Sequence, residues 1–123
     1  MHSKPVPPRR SFVLLSAFCL LTSVGSQAWN AKEVATHYTK YEHRIPMRDG
    51  VRLHTTVFLP KDEPGPLPVL ITRTPYSARP YGSSAFPDWS GSAEVLAKDR
   101  FILVLQDVRG RNASDGEFVH MRP

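Results

Sequence analysis

One phenol, one carboxylate–guanidinium pair and a few scattered imidazoles are the groups here whose types and spacing could do chemistry. Tyr76 follows Arg73-Thr74-Pro75 at the end of a short apolar run. Its O–H is a hydrogen-bond donor, yet taken by itself Tyr76 reads as a loop aromatic packing on the core. Asp107, Arg109 and Gly110 stand together after a second apolar run. They could present charge to a substrate. The pattern fits better an Asp–Arg pair that braces a loop, with Gly110 at a backbone angle that glycine adopts without strain. His37, His43, His54 and His120 include no ligand-spaced pair of the H-E-x-x-H kind, so no metal centre and no cofactor is expected. His54 alternates with the apolar residues of its strand and is expected to face solvent or a polar contact. Gly82-Ser83-Ser84-Ala85-Phe86 starts like a Gly-x-Ser-x-Gly nucleophile elbow but ends in phenylalanine, and it reads as loop. Asn112-Ala113-Ser114 matches a glycosylation triplet, and Ser114-Asp115-Gly116 reads as a turn.

The elements that must position these groups follow from the pattern of apolar residues. Asn30 with Glu33 three residues on is an N-cap pattern for a short helix over residues 31–37, or equally a frayed start of chain. Val51, Leu53, Thr55, Val57 and Leu59 alternate with period two, which predicts a strand with these residues on one face. Residues 38–46 carry β-formers, and Asp49-Gly50 between the two segments supplies turn residues with φ > 0. Residues 39–59 therefore read as an antiparallel hairpin. Residues 60–68 hold four prolines and a glycine and read as a loop. Residues 68–72 and 101–106 are continuous apolar runs of the kind found in strands buried on both faces. Between them lie a long loop, 73–91, and a short amphipathic helix over 92–99, capped by Ser92 or Ser90, with Val95 and Leu96 on its apolar side. Long loops of this kind are often functional. Strand–helix–strand with apolar strands implies a parallel crossover. The fold class is α/β, an antiparallel hairpin leading into a parallel sheet. Two buried-type strands need helices on both faces. One good helix is present, so an exposed sheet face and marginal stability are expected of the chain alone.

Length bounds the chain of 123 residues to one domain. Residues 1–28 have the build of a secretory signal peptide. Lys4, Arg9 and Arg10 precede the apolar stretch 12–21, and Ser26-Gln27-Ala28 is a small-residue exit before Trp29. The stretch is shorter than the ~20 residues a membrane span needs. Export to a periplasm or the medium is expected, with no stable membrane association after cleavage. The formal net charge of +5 loses Lys4, Arg9 and Arg10 with that segment, which contains no acid, and residues 29–123 carry +2. The remaining basic residues are interleaved with acids, which argues against a nucleic-acid partner. The single cysteine, Cys19, goes with the signal segment, leaving no disulfide and no thiol nucleophile.

Three blocks, in this order and spacing, carry a family resemblance. The first is Ile45-Pro46-Met47-Arg48-Asp49-Gly50-Val51-Arg52-Leu53. The second is Pro68-Val69-Leu70-Ile71-Thr72-Arg73-Thr74-Pro75-Tyr76. The third is Gln106-Asp107-Val108-Arg109-Gly110 followed by Ser114-Asp115-Gly116-Glu117-Phe118. Over residues 38–123 the chain resembles the start of the cocaine esterase and Xaa-Pro dipeptidyl-peptidase-like serine hydrolases. The signal segment and Val119-His120-Met121-Arg122-Pro123 lean towards the α-amino-acid ester hydrolases of that group. The resemblance implies an α/β-hydrolase fold, of which residues 29–123 are an N-terminal part, without the cap and jelly-roll domains. It implies acyl transfer to a serine and then hydrolysis of a small ester or peptide substrate. It also implies that Tyr76 donates its phenol O–H to the oxyanion, while the serine elbow and the triad acid and histidine come later in such chains. On this reading the chain alone is expected to be inactive. The competing expectation is a non-catalytic exported module that keeps the hairpin and loop for binding or assembly.

Overall fold

The computed structural model describes residues 28–120. The signal-segment reading, residues 1–27 of it, and the closing residues 121–123 lie outside the described residues. The element order is α1 (Ala31–His37), β1 (Tyr38–Pro46), β2 (Arg52–Pro60), β3 (Val69–Thr74), α2 (Ser92–Lys98) and β4 (Ile102–Asp107). The strands form one sheet in the order β1-β2-β4-β3. β1 and β2 are the expected antiparallel hairpin, β4 lies antiparallel to β2, and β3 runs parallel to β4. The sheet thus starts antiparallel and turns parallel at β3–β4, as an α/β chain with one crossover helix must.

Local chemistry explains the elements. Asn30 accepts from the backbone N–H groups of Lys32 and Glu33, while Glu33 accepts from the Asn30 N–H at 2.9 Å. This capping box satisfies the orphan donors of α1, and Ala31 N–H finds Asp88 at 2.7 Å. The hairpin loop spans residues 47–51, with Gly50 N–H bonded to Met47 O at 3.0 Å. Only Gly50 adopts a positive φ in it, +82°. Asp49 instead turns its carboxylate towards Val51 N–H and Arg109. α2 departs from expectation at its start. Its N-cap is Gly91 at φ 59° with no side-chain cap, and Val95 is exposed. Ala93 and Ala97, one turn apart, and Leu96 face the sheet instead. Glu94 is buried and pairs with Lys98 at 2.5 Å.

The core lies on one side of the sheet. Val34, Tyr38, Phe58, Trp89, Ala97 and Leu103 form it. Trp89 meets Tyr38 and Phe58 in T-shaped contacts at centroid distances of 4.9 and 5.2 Å, a geometry aromatic pairs prefer. Each such fully buried side chain contributes about 1.5–3 kcal/mol. The alternation in β2 is real, but the face that meets this core carries Thr56 and Phe58 rather than Val57 and Leu59. Leu53 and Thr55 are buried too, with Thr55 Oγ1 accepting from Gln106 Nε2 at 2.8 Å, and the segment 114–115 bonds back onto Arg52 and His54 beside them.

Away from Leu53, Thr55 and Gln106, the other face of the sheet is open. Tyr41, Val57, Val104 and Ile71 stand in register across all four strands. Tyr41 is 45% and Ile71 51% exposed, and Val69 beside them is 61% exposed. The apolar run 68–72 is therefore not buried on both faces as its composition suggested. β3 is an edge strand, and both helices sit on the core side, where β4 is covered and β3 only partly so.

Candidate active site

β3 and β4 end side by side, with Thr74 paired to Asp107. Loops that leave the C-terminal ends of parallel strands are where ligands gather in open α/β sheets. Two loops start here, residues 75–91 and 108–116.

The first loop carries Tyr76. Tyr76 N–H is held by Thr74 Oγ1 at 3.0 Å, and the Pro75 carbonyl accepts from Asn112 Nδ2 at 3.2 Å. The Tyr76 side chain is 90% exposed. It does not pack on the core of the described residues. Among the described residues its O–H meets no acceptor, and a phenol so placed can donate to a bound group.

Asp107 is the hub of both loops. It is fully buried, and its Oδ1 accepts from Ala78 N–H at 2.7 Å. Its Oδ2 accepts from the Tyr81 phenol at 2.7 Å and from Ala113 N–H at 3.2 Å. Its carbonyl accepts from Ser114 Oγ, which in turn accepts from His54 N–H, each at 2.8 Å. A buried carboxylate is tolerated when neighbouring donors satisfy it, and here they tie three chain segments to one strand end. Burial, more than the Asp107 charge, pushes the Tyr81 phenol above its ordinary value of 10.0. Ser77, whose hydroxyl meets Tyr81 at 3.1 Å, works in the opposite direction.

A second anchor comes from β1. Lys40 has no exposed side-chain surface, and its Nζ donates to the carbonyls of Pro80, Gly82 and Ala85 at 2.5, 2.8 and 2.9 Å. Glu42, two residues on and so on the same face, pairs with Lys40 at 3.1 Å and accepts from Gly82 N–H at 2.8 Å. The segment 82–86 is thus a turn strapped to Lys40 and Glu42, as the loop reading expected.

Asp107 and Arg109 do not pair with each other. Arg109 reaches Asp49 in the hairpin loop with two bonds, 2.6 and 3.1 Å, and holds the Asp49 carboxyl below its usual range. The bracing role expected of this segment stands, with Asp49 as the partner. The reason is burial: Asp107 points into the protein, while Arg109 lies on the surface. Arg44 likewise pairs with Asp115 and lowers its carboxyl. Gly110 has φ +68°, and a Cβ there would lie 2.1 Å from Phe118 N, so the expected special backbone is present.

The histidines are dispersed. His37 packs on Trp29 and His43 on Tyr41. His120 lies near Phe118. His54 is buried in a T-shaped contact with Tyr81 at a centroid distance of 5.0 Å, with Thr56 Oγ1 3.3 Å from its Nε2, so it has the polar contact and not the solvent. Among the described residues no group of three or more His, Cys, Asp or Glu could hold a metal ion, and no helix is long and apolar enough to cross a membrane. Lys40, Glu42 and Tyr81 escaped sequence reasoning, and Asn112 was noted there only within a glycosylation triplet. Lys40 and Glu42 alternate with buried Tyr38, the one signal that could have drawn notice to them.

An open sheet that turns from antiparallel to parallel, with its loops converging at the β3 and β4 ends, defines the opening of an α/β-hydrolase fold. The family model of the X-Pro dipeptidyl-peptidases (S15 family) matches residues 49–123, and the chain belongs to that family. It is 43% identical over 75 residues to the cocaine esterase of Rhodococcus sp. (strain MB1 Bresler), a stretch that is 61% of this chain and 12% of that protein. An aminopeptidase from the marine sediment archaeon Thaumarchaeota archaeon superposes with a TM-score of 0.58 at 37% identity, over 68% of this chain and 14% of its own. An α-amino acid ester hydrolase does so with a TM-score of 0.57 at 34% identity, over 82% and 17%. The chain therefore spans less than a fifth of the length of these relatives.

Proposed function

We propose that this chain is the N-terminal portion of a secreted serine hydrolase that cleaves ester or amide bonds through an acyl-enzyme. The nucleophile, on this reading, is supplied by sequence beyond residue 123. The observation that carries the proposal is the position of Tyr76, exposed and backbone-anchored at the C-terminal end of the parallel pair. Relatives named as esterase, aminopeptidase and ester hydrolase support a substrate with an acyl carbon.

Attack on that carbon puts negative charge on its oxygen. Tyr76 donates its O–H to that oxygen, and a prepositioned donor of this kind is worth about 3–4 kcal/mol, or roughly 10²–10³ in rate. Asp107, Lys40 and Glu42 do no chemistry in this scheme; they hold the loop. The test uses the polypeptide expressed from the complete coding sequence, with an aryl ester as substrate. Turnover falling by about 10²–10³ in Tyr76→Phe supports the assignment. A reading frame that closes at codon 123, in a soluble and inactive protein, would instead favour the binding or assembly module.

A further inference from the structure

We infer that Asn112 is a positioning residue for Tyr76, an inference that rests on the oxyanion reading of that tyrosine. The Pro75 carbonyl and the Tyr76 N–H belong to one planar peptide unit. Asn112 Nδ2 holds its oxygen at 3.2 Å, and Thr74 Oγ1 holds its N–H at 3.0 Å. With a bond at each end of the plane, rotation of the unit is restrained, and with it the orientation of the Tyr76 Cα. Pro75 adds a ring-locked φ just before it.

Asn112 is fitted for this by its own backbone. Its φ is +51°, a left-handed conformation that asparagine tolerates better than most side chains. The residue after it, Ala113, donates to Asp107 Oδ2, and the residue two after Tyr76, Ala78, donates to Asp107 Oδ1. One buried carboxylate therefore sets the spacing of the two loops, and the Asn112–Pro75 bond closes the gap between them. The role is orientation of a donor. Misplacing such a group by an ångström can cost as much as 10²-fold in rate.

The test is a set of variants in the complete enzyme, with kcat, KM and Tm measured on an aryl ester. Asn112→Gly keeps the positive φ and removes the amide. Asn112→Asp keeps a tolerant backbone and removes the donor. Thr74→Val frees the other end of the peptide without touching Asn112. Each is expected to lower kcat about tenfold, with KM changed by less than about twofold. In a Tyr76→Phe background the same changes should cost almost nothing, since what they orient is gone. An equal loss in both backgrounds means that Asn112 is merely structural and overturns the inference. Tyr76→Phe costly but Asn112→Gly harmless overturns it too, and leaves the oxyanion reading intact. Tyr76→Phe harmless overturns both.

Discussion

Tyr81 donates its phenol hydrogen to Asp107 Oδ2 across 2.7 Å, which joins the middle of the loop after β3 to the last residue of β4. Tyr81 also accepts from the hydroxyl of Ser77 and meets the ring of His54 in a T-shaped contact. Tyr81→Phe removes one of three donors to a buried carboxylate and should cost about 1–3 kcal/mol. Urea unfolding of wild type and variant measures it. A cost under about 0.5 kcal/mol would mean that water replaces the phenol at Asp107.

Lys40→Met should be more severe. The change leaves three loop carbonyls and Glu42 without their cation. Breaking a buried pair by removing one partner costs about 3–5 kcal/mol. Limited proteolysis should show cleavage concentrated within residues 77–88 before the rest of the protein opens.

Tyr38 makes alkaline stability a reporter of the core. Burial, with Glu63 adding to it, pushes its phenol up to about 12, and its hydroxyl donates to Ala97 O and Phe101 O at 3.1 Å. The folded value lies above the unfolded one near 10. Its contribution is therefore full below pH ~10 and is lost as pH rises towards ~12. Following phenolate absorbance and unfolding together in wild type and Tyr38→Phe checks this: the slope of stability against pH over that window should be shallower in the variant.

Gly110→Ala tests the turn after β4. The added methyl meets Phe118 backbone nitrogen at 2.1 Å, and φ is +68°. The left-handed backbone alone costs about 1–2 kcal/mol, and the overlap adds to it. Gly82→Ala, with φ +95° and nothing within 4 Å, carries the backbone strain without the overlap. Thermal melts should rank Gly110→Ala below Gly82→Ala.

The open sheet face should bind a hydrophobic dye when residues 29–123 are expressed alone. Exposed apolar patches of this kind favour association. Val69→Lys with Ile71→Lys should lower ANS fluorescence and raise solubility, since neither side chain is covered. Unchanged dye binding would place the sticky surface elsewhere.

Much of this architecture is legible without coordinates, because it rests on local rules. Asn30 and Glu33 specify the start of α1 through a capping box three residues wide. Period-two alternation and Asp49-Gly50 specify the hairpin, and two apolar runs separated by a helix specify a parallel pair. The three blocks around Asp49, Tyr76 and Asp107 carry the family, and they are contiguous in sequence. What needed the tertiary structure is every relation between distant segments. Lys40 meets carbonyls 40 to 45 residues away, Asn112 meets Pro75 at a separation of 37, and Arg109 chooses Asp49 over Asp107. The choice of β2 face was of the same kind: alternation shows that a strand has two faces, but only packing against Trp89 decided that Phe58 lies inward. Hydrogen bonds and burial are decided by which groups the folded chain brings within ~3 Å, and no periodicity records that.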